Sequence, residues 1–237
     1  MRIPRSRIDA YSRALNAVTE RMRPQLAQLL EEQVDWTADV ATVREQVIAI
    51  MQAVCGASSD VAARVSAEFY DDLRAEFGID DGFSAYVDSG RDPDATEGAV
   101  RAFVDDLLEG RRDAFVAKCV DRADSETRRA ANACTVSNAR RDPKRPRYAR
   151  VPTGAETCRF CIMLASRGFA YHSEELASHA HAHCDCRVIT SWDKSPTVES
   201  YDPSYYFDVY RNPDDHPEVT DAINARRREL RALKADA

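Results

Sequence analysis

Apolar residues recur every three or four positions through the first 140 residues, the spacing with which one face of an α-helix meets a core. Val40, Val43, Val47, Ile50 and Val54 form one such stripe. Gly56 reads as the end of that helix, with Ser58 or Ser59 capping the next. Val61, Val65, Phe69, Leu73 and Phe77 then step by four until Gly78. Asp81 to Pro93 is rich in turn formers, and Asp94 with Glu97 suits a capping pair. Val100, Phe103, Val104, Leu107 and Leu108 supply a third face, and Gly110 precedes a long Ala- and Arg-rich helix over about 111–140. These stripes predict a helical bundle, and they carry no chemistry of their own.

Beyond Pro143 and Pro146 the period changes. Arg147 to Pro152 alternates like a short edge strand, and Pro152 ends it. Cys158 to Ser166 suits a helical turn closed by Gly168. Ser173 to Leu176 starts a short helix or loop, and Cys184 to Thr190 alternates as a strand with Cys184 and Cys186 on one side. Tyr201 to Tyr210 is aromatic and Pro-punctuated, as a segment draped over another surface would be. Asp214 to Lys234 predicts a charged, weakly amphipathic tail helix.

Composition narrows the class. The chain has 237 residues, 44% hydrophobic and 31% charged, enough for one large domain or two small ones. No run of about 18 apolar residues stands out, and the basic start, Met1 to Arg7, lacks the apolar region of a secretory signal. Net charge is −7, which argues against a surface devoted to nucleic acid. The charge is uneven, however. From Arg111 to Arg150 twelve Lys or Arg stand against five Asp or Glu, a local +7, so the remainder carries −14. Six of these cations fall between Arg140 and Arg150. Among them Arg140, Arg141, Lys144, Arg145 and Arg147 are candidates to touch phosphate or an acidic protein rim, the alternative being a solvated linker.

The densest chemistry lies between Cys158 and Cys186, which hold four of the seven cysteines and four of the five histidines. Two residues between Cys158 and Cys161 let both thiolates reach one ion from a tight turn. The run His181-Ala182-His183-Cys184-Asp185-Cys186 can complete a tetrahedron about zinc. Cys158, Cys161, His181, Cys184 and Cys186 are the candidate ligands, with His183 in reserve and His172 and His179 read as surface residues. A redox pair or unmetallated thiols are the alternatives. Cys55, Cys119 and Cys134 read as small hydrophobes on helix faces in a reducing compartment. The zinc-deaminase signature is missing: no Glu sits two residues after a candidate His, and Thr157 rather than Pro precedes Cys158. His-Glu-x-x-His, Gly-x-Ser-x-Gly and a Gly-x-x-x-x-Gly-Lys phosphate loop are missing too, so the chain is expected not to be an enzyme.

The residues Arg150 to Gly168, then Tyr171, Ser173 and His181 to Cys186, resemble the minor capsid proteins of tailed phages of actinobacteria. These belong to a broader group similar to the head-morphogenesis protein F of phage Mu. That group closes its domain with a His-Pro-Xaa-Cys-Arg-Cys pattern. His181, Cys184 and Cys186 match its His and two Cys, while Ala182 stands for the Pro and Asp185 for the Arg. The likeness is specific over about 148–192; the helical region agrees only in order, helices first and Cys/His module after. It implies a structural virion or assembly protein, made in the bacterial host cytoplasm and placed inside the head near the portal. Its implied partners are the portal or the major capsid protein, with packaged DNA a further possibility and no membrane. The expected fold is α+β, mainly α. Its parts are a helical domain over 1–140, a basic connector over 141–150, a zinc-like Cys/His module over 151–195, and an extension with a tail helix over 196–237. A zinc-ribbon-like nucleic-acid-binding protein is the alternative function, and a metal-dependent nuclease a more distant one.

Overall fold

The computed structural model describes residues 1–154, 157–170, 178–217 and 219. Four long helices dominate it: α1 (Arg5–Gln33), α2 (Val40–Glu76), α3 (Pro93–Leu108) and α4 (Arg112–Arg141). The chain is mainly helical with a small amount of sheet, the class that its hydrophobic periods predict.

α2 runs unbroken through Gly56, where the sequence pattern placed a stop. The glycine serves lateral packing instead. A Cβ there would lie 2.6 Å from Arg91 Nη1, and Arg91 Nη2 donates to the Gln52 carbonyl at 2.9 Å. Ser58 caps nothing; its hydroxyl donates to the Val54 carbonyl at 2.9 Å and meets the Thr127 hydroxyl of α4 at 2.9 Å. The helix starts on Asp39, whose carboxylate accepts from the Ala41 and Thr42 N–H groups. Its buried face comprises Val43, Val47, Met51 and Cys55, then Ala62, Phe69 and Leu73, whereas Val61, assigned to the core from sequence, is 49% exposed. α3 is capped by Asp92, not by the Asp94–Glu97 pair, and Pro93 takes the first helical position. Among the described residues α2 alone is long and apolar enough to cross a membrane, but half of that window is buried, and α2 packs on α1, α3 and α4 as a central bundle helix.

The two largest apolar clusters among the described residues organise the interior. One lies wholly among the helices, with Met22, Leu26, Leu30, Val47, Met51, Phe115 and Cys119 at its centre. The other joins the helices to the C-terminal strands: Ile8, Tyr11, Phe69 and Leu73 pack with Val151, Ile189 and Tyr201, and the Tyr11 and Phe69 rings stack at 4.2 Å. Cys55, Cys119 and Cys134 are buried, and burial pushes the Cys55 and Cys119 thiols up to about 12, as suits inert core residues.

β1 (Arg2–Ile3) pairs in parallel with β4 (Thr197–Val198), a contact that the sequence pattern did not foresee. β2 (Arg147–Pro152) and β3 (Cys186–Ser191) form an antiparallel ribbon, in register from Arg147 opposite Ser191 to Pro152 opposite Cys186. All six residues of β3 are buried, so β3 does not alternate between core and solvent. α5 (Arg159–Ala165) follows β2, and α6 (Pro203–Arg211) packs on α5. The Tyr201 hydroxyl donates to the Ala165 carbonyl at 2.6 Å. The helix or loop starting at Ser173, and most of the tail helix read over 214–234, lie outside the described residues.

The basic connector is shorter and more firmly held than its composition suggests. Arg140 and Arg141 belong to the last turn of α4. Asp142 is fully buried and accepts from Arg74 Nε at 2.8 Å, Tyr70 Oη at 2.9 Å, Trp192 Nε1 at 3.0 Å and the Lys144 N–H at 2.7 Å. The chain then turns through Arg145, whose φ is +49°, into β2. Arg140, Arg141, Lys144, Arg145 and Arg147 are all exposed, while Arg150, last cation of the run, is completely buried.

Candidate metal centre

The Cys-x-x-Cys spacing acts through a helix start. Cys158 is the N-cap of α5, and its sulfur accepts from the Cys161 N–H at 3.3 Å, which aims both sulfurs to one side of the first turn. The opposite wall comes from the turn before β3, where the Cys184 N–H bonds the His181 carbonyl at 3.1 Å. Asp185 secures that turn to the end of β2. Its carboxylate accepts from the Gly154 N–H at 3.1 Å and Thr157 Oγ1 at 3.0 Å, and its own carbonyl accepts from the Thr153 N–H. Asp185 packs so tightly over Gly154 that a Cβ there would lie 2.8 Å from the Asp185 Cβ.

All five candidate ligands converge. Cys158, Cys161 and His181 form one set and Cys161, Cys184 and Cys186 a second, with donor atoms within 4.8 Å of one another in each. Cys158 Sγ lies 3.0 Å from His181 Nε2, and Cys161 Sγ 3.5 Å from Cys184 Sγ. Two thiolates at ~2.3 Å from a tetrahedral ion stand roughly 3.8 Å apart, so small adjustments accommodate one. His181 Nδ1 lies 2.8 Å from the Ala182 carbonyl, the contact that fixes an imidazole tautomer with Nε2 facing the thiols. Soft donors on two facing turns can hold a metal ion.

The electrostatics describe a cluster of shared protons. The Cys161 thiol donating to Cys158 pulls Cys158 down to about 4, and His181 adds to this against the effect of burial. His181 rises to about 9, chiefly through Cys158. Cys161 is pushed up by the Cys158 thiolate that it serves. Cys184 is drawn well below the usual thiol range by Cys161 and Cys186, and burial drives Cys186 well above it. A metal would displace the protons held between these groups.

His183 and His179 face elsewhere. The His183 N–H donates to Asp124 Oδ2 at 2.9 Å, and its ring lies 3.6 Å from Asp121 and 3.8 Å from Asp124, away from the thiols. His179 stacks edge-on against Phe160, and His172 lies outside the described residues.

Sequence reasoning missed the arginines behind the cluster. Arg150 Nη2 donates to Cys184 Sγ at 3.4 Å, while Arg128 Nη1 and Arg187 Nη1 both donate to the Cys184 carbonyl, at 2.9 and 3.0 Å. Asn16 of α1 bonds both Arg128 and Arg187, so the first helix reaches the site too. A signal was present: Arg187 and Arg150 each interrupt a strand whose neighbours are apolar.

A four-helix bundle backing a ribbon and a Cys/His cluster defines a mainly α protein with a candidate structural metal site. A family model described as VG15 protein matches residues 2–213, and this chain belongs to that family, a viral family of phage proteins. No curated protein and no solved structure matches.

Proposed function

We propose that this chain is a structural minor capsid or head-morphogenesis protein of a tailed phage, working without catalysis of its own near the portal or inner face of the head. The observation that carries this reading is the phage-family match over 2–213, which takes in helices and Cys/His module together. The likeness of residues 150–168 and 181–186 to actinobacterial phage minor capsid proteins supports the finer assignment. Within it, zinc is structural. Cys158, Cys161 and His181 supply three ligands and Cys184 or Cys186 the fourth, closing the coordination sphere and pinning α5 to the start of β3. Portal or major capsid protein is the proposed partner. The test is composition of purified virions, together with pull-down from infected cells. The chain should be present in virions and recover portal or capsid protein; absence from virions with recovery of neither overturns the assignment.

Contact with packaged DNA is a second reading, favoured by the exposure of all five candidate cations around the α4–β2 turn. Such contact weakens steeply with salt, because each neutralised phosphate releases a counterion. Replacing Arg140, Arg141, Lys144, Arg145 and Arg147 with neutral residues should therefore weaken association with double-stranded DNA at low salt and flatten its salt dependence. Unchanged binding and salt slope would leave these residues a solvated turn.

A further inference from the structure

We propose that Arg150 and Arg187 are the built-in counter-charges of the metal–thiolate centre, with Arg150 acting on it directly through the Cys184 sulfur. This rests on the metal reading above. Arg150 is completely buried and Arg187 is 2% exposed. A guanidinium keeps its charge at any accessible pH, so each places a permanent cation inside the protein, which is strongly disfavoured without a counter-ion. Arg187 spends Nη1 on the Cys184 and Cys186 carbonyls, at 3.0 and 3.2 Å, and Nη2 on Asn16 Oδ1 at 2.7 Å, and its Nε finds no partner. Among the described residues no carboxylate forms an ion pair with Arg187. Asp185, the nearest in sequence, is turned to Gly154 and Thr157, and Asp124 is engaged by Arg128 at 2.7 Å. The sulfurs of the cluster stand beside both cations: Cys184 and Cys186 act on Arg187 through space, as Asp185 also does, and Cys184 Sγ accepts directly from Arg150.

The charges balance in that direction. A divalent ion with three thiolates and a neutral imidazole is −1, and with four thiolates −2. An anionic centre at this depth needs cations, and two stand behind it. Arg150 does more than sit nearby. Nη1 is anchored on the His179 carbonyl at 2.9 Å, which directs Nη2 at Cys184 Sγ, 3.4 Å away. With Cys184 as the fourth ligand, an N–H donated to its sulfur draws electron density from it and favours the thiolate form. Arg150 and Arg187 are positioning residues in this sense, since neither has to touch the ion.

Cobalt(II) bound to the full chain tests the assignment, because its sulfur-to-metal charge-transfer band reports on the thiolates directly. Arg150→Gln is expected to lower cobalt and zinc affinity about 10- to 100-fold in chelator competition, and to move the band to lower energy while far-UV circular dichroism holds. Arg150→Lys restores the charge but not the directed N–H, so it should recover most of the affinity and still show the shifted band. Arg187→Gln should lower affinity with the band unmoved, since Arg187 gives no N–H to sulfur. If Arg150→Gln does not fold, the band position in Arg150→Lys decides. Wild-type protein that binds cobalt, with affinities and band positions unchanged in the Arg150 variants, overturns the counter-charge role alone. Wild-type protein that takes up neither metal overturns the metal reading beneath it.

Discussion

Single residues fix two points that the rest of the molecule depends on. At the cluster, Cys158→Ser or Cys161→Ser is expected to abolish metal uptake and unfold the α5–β3 region, because binding energy at such a site is folding energy. Metal analysis beside circular dichroism checks this; metal-free protein with that region intact would end the structural-metal reading. The same site predicts a pH dependence. His181 holds its proton up to about 9, and an imidazole must lose it to ligate, so apparent metal affinity should climb as pH rises from 7 towards 9, with protons released on binding. Titration with an indicator in weak buffer reads both. Asp142 is the second point. Burial raises its carboxyl, but the Arg74 guanidinium, with the Lys144 N–H, Tyr70 and Trp192, more than offsets this and holds it below the usual range. A depressed folded value contributes stability above the unfolded pKa, ~3.9, and that contribution is lost as pH falls through the folded value. Asp142→Asn should cost on the order of 3 kcal/mol at neutral pH and reduce the acid sensitivity of urea melts.

At the scale of elements, α2 makes the sharpest test. A glycine that terminates a helix in the left-handed region resists substitution, whereas one inside a helix loses about 1 kcal/mol relative to alanine. Gly56 is of the second kind, and the obstacle to a methyl group is the end of the Arg91 side chain, which can move. Gly56→Ala should therefore leave thermal stability unchanged or raise it by about 1 kcal/mol. A loss of several degrees in melting temperature would show that the Arg91 contact matters more than helix propensity.

At the scale of the whole molecule, the two apolar clusters set how far damage spreads. The cluster of Met22, Leu26, Met51 and Phe115 needs only the four helices, while that of Tyr11, Phe69, Val151 and Ile189 needs the ribbon. Stripping metal with a chelator should leave amides around Val43–Cys55 slow to exchange and release those around Phe69–Leu73. Uniform protection, or uniform loss, in hydrogen exchange would show that the ends of the bundle are not distinguished in this way.

The helical bundle, the two short strands and the grouping of candidate ligands are legible in the sequence alone. Each rests on local chemistry: apolar spacing commits a segment to one face, and Cys-x-x-Cys commits two sulfurs to one turn. The rest, the pairing of those two strands included, depends on partners distant in the chain. Gly56 looks like a terminator until Arg91, thirty-five residues on, is seen lying over it. The run from Arg140 to Arg150 looks uniformly solvated until pairing with β3 buries Arg150 and turns it toward Cys184. Residues Arg2–Ile3 gain a strand partner only because Thr197–Val198 is brought beside them. Periodicity reports which side of a segment is apolar; which segment covers it, and which buried charge faces which, is settled only when the elements pack.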